Sequence, residues 1–166
     1  MNLAPKTKKT LVILGTLVLV TGIAFVAVLT VIIRNAESKP PWFHAYSNGH
    51  AVKVEPVKYC SIAGTDCTDG PQAELHVPLG GSVQISLPDE ISSAVWVLTT
   101  EFKTPDGEFV MAPDRVFRPN EVHSLNIKSD ADPPLQLSVI EIRLPSADTG
   151  GDDQYVARAY WSIKID

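Results

Sequence analysis

The sequence predicts a mainly β protein, in which one N-terminal transmembrane helix precedes an antiparallel β-sandwich of an immunoglobulin-like or related kind. Three observations predict this class. Residues 11–33 are apolar and carry no charge, most later apolar segments alternate with a period near two, and no convincing amphipathic helix lies between them. Short strands bounded by Pro, Gly, Asn and Asp are typical of antiparallel sandwiches, and a small barrel is the alternative.

The apolar segment 11–33 predicts a membrane-spanning helix. As a helix it reaches about 35 Å, which covers a hydrocarbon core of about 30 Å. A cleaved signal peptide is the alternative, because "KTKK" before the segment resembles a positively charged n-region. However, the segment is longer than a signal core of about 7 to 15 residues, and cleavage after Ala36 would put Arg34 where a small residue is preferred. We therefore expect an uncleaved anchor.

The domain organisation follows from this anchor. We expect a cytoplasmic N-terminus at 1–10, the transmembrane helix at 11–33, a stalk at 34–41 and an extracytoplasmic β-domain at 42–166. The stalk, "RNAESKPP", has a proline pair that cannot continue a helix and favours an extended spacer. Lysines before the helix, against Arg34 and Lys39 after it, favour a cytoplasmic N-terminus only slightly.

The sequence of the β-domain predicts about eight short strands. Asn48-Gly49, the strongest two-residue hairpin signal, separates "WFHAYS" from "HAVKVEPVKY". The later segments are "AELHVPL", "GSVQISLP", "SAVWVLTTEF", "EFVMAP", "VHSLNIK", "LQLSVIEIRLP" and "YVARAYWSIKID". The main core candidates are Trp96, Leu98, Leu137, Val139, Trp161 and Ile163.

The only two cysteines, Cys60 and Cys67, lie in the run "CSIAGTDC". Their spacing fits neither the paired metal spacings nor the redox Cys-x-x-Cys motif, so a disulfide is favoured over a free buried pair and over a metal or redox site. A disulfide implies an oxidising compartment, which would place the β-domain outside the cytoplasm. The two cysteines are too close in sequence to join two sheets as in an immunoglobulin domain.

Several short motifs together resemble one known family. They are the N-terminal membrane segment, the Pro-containing stalk, an aromatic strand before Asn48-Gly49, "PVKYC" with a second cysteine soon after, "VPLGGSVQISLP", Trp96 and the terminal "YWSI". This combination is similar to the DUF2771 family of actinobacterial membrane-associated envelope proteins. The resemblance implies a location in the cell membrane or cell envelope and transfers no catalytic residue. Unlike members that are similar to lipoproteins, this chain lacks a cysteine near the membrane.

The sequence contains none of the common catalytic motifs. It lacks a nucleophile elbow, a His-Glu-x-x-His motif, a phosphate-binding glycine loop and a dinucleotide fingerprint. The carboxylates in "PDE" and "GGDDQ" do not have the ligand spacing of a calcium loop, and the four histidines are scattered. We therefore expect no catalytic, cofactor or metal site, and an enzyme is disfavoured.

The charge of the β-domain restricts its partners. The chain has 14 Lys and Arg against 19 Asp and Glu, and three of the lysines precede the apolar segment, so residues 34–166 carry a net charge of −8. Nucleic acid and anionic lipid headgroups are poor partners for such a surface. Basic protein surfaces are better ones.

Four residues are candidate partner contacts. Gly15 and Gly22 are seven residues apart and fall near one face of the predicted helix, where small residues allow close packing. Trp42 and Phe43 follow the stalk, and three roles are open to them: the core, an interfacial aromatic belt or a partner contact.

These observations predict a non-enzymatic, single-span membrane protein. Its extracytoplasmic β-domain would be an interaction or accessory subunit of a membrane or cell-envelope complex, such as a respiratory supercomplex. Because the stalk reaches roughly 25 Å when extended, the partner would be an integral membrane protein complex close to the bilayer. The alternative is an extracytoplasmic carrier of a small ligand or lipid, which needs a concave apolar pocket.

Overall fold

The computed structural model describes residues 5–35, 40–61, 66–150 and 154–166. The chain divides into two units, Met1–Lys39 and Pro40–Asp166. In chain order the elements are α1 (Pro5–Asn35), β1 (Phe43–Ser47), β2 (His50–Val54), β3 (Lys58–Tyr59), β4 (Thr68–Asp69), β5 (Ala73–Leu75), β6 (Val83–Ser86), α2 (Asp89–Ser92), β7 (Trp96–Lys103), β8 (Phe109–Met111), β9 (Arg115–Phe117), β10 (Ser124–Ile127), β11 (Gln136–Gly150) and β12 (Gln154–Ile165). The chain is therefore mainly β with one long N-terminal helix, as predicted.

Helix α1 extends beyond the predicted apolar segment at both ends. Within it, Ile13–Ile32 is long and apolar enough to cross a membrane, a property that a signal sequence near an N-terminus shares. Three threonines, Thr16, Thr21 and Thr30, each donate a side-chain hydrogen bond to a carbonyl three or four residues earlier. These bonds satisfy the hydroxyl groups within the helix, which an apolar environment requires.

The smaller sheet has four strands in the spatial order β10-β6-β1-β2, and every pair in it is antiparallel. Asn48 and Gly49 form the predicted two-residue turn between β1 and β2, with φ values of 46° and 85°. A type I′ turn requires positive φ at both positions, which is why the Asn-Gly pair favours this hairpin.

The larger sheet has the spatial order β4-β3-β12-β11-β7-β8, with β5 paired to β12 and β9 paired to β7. Strands β8 and β9 bond to different ends of β7, so together they form one edge of this sheet. The pair of β5 and β12 is parallel, whereas the other described pairs are antiparallel. The sequence pattern did not predict this exception.

One hydrophobic core fills the space between the two sheets. Inward side chains of the smaller sheet, such as Ala45 and Ile85, belong to the same buried cluster as Ile142 and Leu144 of the larger sheet. Five of the six predicted core residues are members of this cluster: Trp96, Leu98, Leu137, Trp161 and Ile163. The predicted antiparallel sandwich is thus confirmed.

Val139 is the predicted core residue that lies outside the buried cluster. The register between β11 and β7 shifts between Leu137 and Val139, which marks a β-bulge or a similar irregularity. An extra residue reverses the alternation of side chains, so Leu137 and Ile140 are both buried and Val139 is only half-buried. Simple alternation from Leu137 gives the wrong face for the rest of the strand.

Candidate functional site

Strand β8 exposes three consecutive apolar side chains at the edge of the larger sheet. Phe109, Val110 and Met111 are 61%, 44% and 65% exposed. A tight turn precedes the strand, in which Gly107 has a φ of 88° and the Thr104 hydroxyl accepts a 3.0 Å hydrogen bond from the amide of Glu108. Adjoining exposed apolar side chains on an edge strand are characteristic of interaction surfaces. We call these three residues the β8 edge.

A cleft of about 420 Å³ opens beside the β8 edge. Residues of β7 and β8 line one side, and residues of β10 and the segment that follows it line the other, so the cleft lies between the edge strands of the two sheets. Its apolar lining includes Leu98, Phe102, Val110, Ile127 and Leu135. Three charged residues also line it, namely Arg115, Lys128 and Asp130. The cleft therefore reaches the border of the core, although Leu98 and Ile127 in its lining are only 2% and 5% exposed.

A second groove, of about 320 Å³, lies on the opposite face of β7 and β11. Its apolar wall is formed by Val95, Val97, Val116, Pro145 and Ala157. Side chains alternate between the faces of a strand, so Val97 faces this outer groove while its neighbour Leu98 faces the cleft.

A polar cluster borders the outer groove. Arg143 Nη2 donates to Asp114 Oδ2 at 2.6 Å and also to the hydroxyl of Thr99. The same hydroxyl donates to Asp114 Oδ1 at 2.6 Å. Asp114 therefore has a partner on both carboxylate oxygens. Because the two charged groups are paired with each other, the cluster is suited to fixing β7 against β11 and the start of β9.

Cys60 and Cys67 form a disulfide, as predicted, with a Cα–Cα distance of 4.0 Å. Cys60 directly follows β3 and Cys67 directly precedes β4, and these two strands are antiparallel neighbours in one sheet. The bond therefore ties together adjacent strands and does not link the two sheets. Its place at the end of a strand pair is consistent with a structural role.

The structure separates the two aromatic candidates. Phe43 is 3% exposed and belongs to the core, where its ring lies 6.4 Å from that of Trp161. The core alternative therefore holds for Phe43, and its side chain offers no surface to a partner. Trp42 is 45% exposed, and the Lys53 ammonium lies 4.8 Å from its ring centroid. Because this ring is exposed, a place in an interfacial aromatic belt and a partner contact are the two roles that stay open for Trp42.

Gly15 and Gly22 are open positions on α1. A Cβ atom added to either residue would meet no atom within 4 Å. The helix alone gives no internal reason for glycine at these positions. Their contribution to helix packing therefore stays a prediction.

No group of three or more His, Cys, Asp and Glu side chains that could hold a metal occurs among the residues that the structure describes. Asp89 and Glu90, of the "PDE" run, lie in the first turn of α2. Asp152 and Asp153, of the "GGDDQ" run, lie outside the described residues.

Sequence reasoning did not select the β8 edge as a contact. The run "EFVMAP" predicts a strand, but a short continuous apolar run is equally typical of a buried strand. The sequence does contain one sign of an edge strand. Turn residues before the run and Pro113 after it limit the strand to three paired residues, and short strands bounded by proline are typical of sheet edges.

The fold and these surfaces define a disulfide-containing β-sandwich domain that follows a helix able to span a membrane and exposes an apolar sheet edge. The chain belongs to the DUF2771 family, which is described as a protein of unknown function and whose model matches residues 36–166. It is similar to uncharacterised proteins of Mycobacterium bovis and of two Mycobacterium tuberculosis strains. Each is 29% identical over 154 residues, which cover 90% of this chain and 92% of the relative. No solved structure matches this chain.

Proposed function

We propose that this protein is a non-enzymatic, single-span membrane protein whose extracytoplasmic β-domain is an interaction or accessory subunit of a membrane or cell-envelope complex. The β8 edge is the observation that carries the proposal. Contiguous exposed apolar side chains beyond a small area mark interaction sites on soluble domains. Phe109, Val110 and Met111 are three exposed neighbours in one strand.

The proposed location rests on α1 and on the disulfide. Ile13–Ile32 has the length and composition of a membrane span, and the disulfide between Cys60 and Cys67 favours an oxidising compartment. A cytoplasmic N-terminus with the β-domain on the other side of the membrane agrees with both the membrane span and the disulfide. Proteins held in one membrane meet at raised effective concentration, so a small contact area is sufficient for association.

The proposed partner is an integral membrane protein complex, of which a respiratory supercomplex is one example. A stalk of about eight residues keeps the β-domain within roughly 25 Å of the end of the membrane span, so only surfaces near the bilayer are within reach. The net charge of −8 on residues 34–166 disfavours nucleic acid as the partner.

The outer groove supports a second candidate, an extracytoplasmic carrier of a small ligand or lipid. Its volume of about 320 Å³ is near the lower end of the range for ligand sites, and most of its lining is apolar. Native mass spectrometry of the protein extracted in mild detergent tests this candidate. A retained non-protein mass that is lost when Val97 is changed to Glu would favour the carrier.

Co-purification tests the accessory-subunit proposal. The intact protein is extracted in several mild detergents, and in parallel intact membranes are treated with a crosslinker. We expect the intact protein to co-purify with an integral membrane assembly, and the domain from Pro40 onward, which retains the Pro41 carbonyl that Trp161 bonds, to bind that assembly much more weakly. A lone monomer in every detergent, together with no crosslinked neighbour, would reject the proposal in favour of the carrier.

A further inference from the structure

One hydrogen-bonding side of β8 faces away from its sheet. The strand is antiparallel to β7 and is the last strand of the larger sheet in the spatial order. The Ala112 amide donates to the Thr100 carbonyl at 2.9 Å, and the Thr104 amide donates to the Glu108 carbonyl at 2.8 Å. Bonding alternates along an antiparallel pair, so residues 108, 110 and 112 direct their backbone groups toward β7. The residues between them direct theirs outward.

Phe109 and Met111 therefore present two N–H and two C=O groups to the open side of β8. This is the arrangement that an added strand requires. No charged side chain interrupts the strand, although lysines and inward-pointing charges are common protections of natural edge strands.

Both faces of β8 also have a place for the side chains of an added strand. Val110 is opposite Phe102 in the pairing, and both residues line the cleft. Phe109 faces the other side, where the Lys103 ammonium lies 5.9 Å from its ring centroid. Successive side chains of a strand beside β8 would thus alternate between the cleft and the ring of Phe109.

We infer that the β8 edge binds an extended segment of the partner protein by strand addition, with alternate apolar side chains of that segment entering the cleft. This inference rests on the proposed function and specifies how the accessory subunit recognises its partner. Main-chain hydrogen bonds to Phe109 and Met111 fix the register of the added segment, and the cleft selects which of its side chains can bind.

The cleft also restricts the charge of the segment. Two of its three charged lining residues, Arg115 and Lys128, are cationic, and the third is Asp130. The rim is therefore net positive, although the domain as a whole is acidic. A segment with apolar or acidic side chains fits this rim better than a basic one, because like charges across an interface oppose binding.

A second copy of this chain fits the edge less well than a partner segment does. Two copies would bring together domains that each carry a net charge of −8 over residues 34–166, and like charges across an interface oppose binding. A lipid surface also fits poorly, because Asp106 and Glu108 lie in the exposed turn next to Phe109.

Site-specific photocrosslinking in the full chain, in its own membranes, tests the inference. The photoreactive amino acid benzoylphenylalanine replaces Phe109, and in a matched control it replaces Ala51, which is exposed on β2 at the edge of the smaller sheet. We expect a crosslink from position 109 and none from position 51. Mass spectrometry of the crosslinked peptide should locate it in a segment with alternating apolar residues.

A second change separates backbone pairing from simple proximity. Met111→Pro removes an outward N–H group and leaves the bonds to β7 intact, whereas Met111→Ala shortens the side chain and keeps the N–H group. We expect Met111→Pro to reduce the crosslink yield by about tenfold and Met111→Ala to reduce it much less. Val110→Asp keeps every backbone group and places a carboxylate at the cleft, and it should cause a similar loss even if the proline variant does not fold.

The outcomes distinguish this inference from the proposed function. A crosslink to the predicted kind of segment, lost in Met111→Pro and in Val110→Asp, supports strand addition. A crosslink to a second copy of the chain overturns it. If the intact protein co-purifies with a membrane complex but position 109 captures nothing, strand addition is wrong and the accessory function stands. If the intact protein neither co-purifies with a membrane complex nor forms a crosslink from position 109, both strand addition and the accessory function are wrong.

Discussion

The indole nitrogen of Trp161 donates a 2.9 Å hydrogen bond to the carbonyl oxygen of Pro41. Trp161 is a buried residue of β12, in the larger sheet, and Pro41 lies two residues before β1 of the smaller sheet. The last strand of the chain thus holds the first residues of the β-domain. This bond joins the two layers at the point where the domain begins.

Trp161→Phe should destabilise the β-domain more than Trp96→Phe. Both changes remove an indole from the core, but the Trp96 nitrogen is buried without a hydrogen-bond partner among the described residues. Only the first change breaks a bond and leaves a carbonyl unpaired, so we expect it to cost about 1 to 3 kcal/mol more. Urea unfolding of residues 40–166 measures the difference.

Trp42→Phe is the matched control for this pair, because Trp42 is exposed and should change the free energy of unfolding by less than about 0.5 kcal/mol. Equal losses for Trp161→Phe and Trp96→Phe would contradict the importance of the bond to Pro41.

Reduction of the disulfide should destabilise the domain. Thiol labelling of the unreduced, denatured protein should find neither Cys60 nor Cys67 free. Cys60→Ser should lower the free energy of unfolding by about 2 to 4 kcal/mol, because the open chain gains conformational freedom when it unfolds.

The double change of Cys60 and Cys67 to Ser is the control for a lone reactive thiol, and it should match the single change. If the reduced protein stayed folded and equally stable but lost its association with other proteins, the bond would have a redox role instead.

Local patterns predicted much of the fold. The Asn48-Gly49 turn and the alternation of Val83 and Ile85 depend on short-range chemistry, because turn geometry and the two faces of a strand are set by neighbouring residues. The disulfide was also predictable, since the two cysteines have no other plausible partner in the sequence. These features required no knowledge of distant parts of the chain.

Features that depend on distant contacts were not predictable in the same way. The bulge near Ser138 depends on how β11 meets β7, and the parallel position of Ala73–Leu75 depends on the end of the chain reaching β5. The β8 edge had a related limitation: its shortness before Pro113 favours an edge position, but the apolar triplet itself gives no sign of whether another strand covers it. Its exposure follows from the strand order, which sequence periodicity does not contain.

A reporter pair tests the predicted topology. Alkaline phosphatase fused after Asp166 should be active and a fluorescent protein fused there should not, because we expect the β-domain to lie outside the cytoplasm. The same reporters fused after Lys9, before the apolar segment, should give the opposite pattern. An epitope tag at the N-terminus that persists in the membrane-bound protein would support an uncleaved anchor. Fluorescence from the C-terminal fusion would contradict the orientation.

The last prediction concerns α1 as a second contact with the membrane partner. Gly15 and Gly22 are separated by about 20° around a helix of 3.6 residues per turn, so they form one small-residue face on which a neighbouring helix can approach closely. Leucine at both positions should be tolerated by α1 itself, because an added Cβ meets no atom within 4 Å. We therefore expect the double change Gly15→Leu and Gly22→Leu to leave the amount of protein in the membrane unchanged and to reduce co-purification of the membrane complex.

The matched control for this change is Ala24→Leu with Ala27→Leu. Ala24 lies about 180° and Ala27 about 120° from Gly15 around the helix, so these leucines add similar volume on other faces. They should leave co-purification at the level of the unchanged protein, as measured by quantitative mass spectrometry after mild detergent extraction. Equal loss in both double variants would indicate a general disturbance of the helix. No loss in either would assign recognition to the β-domain alone, and the β8 edge would then have to account for all of the association.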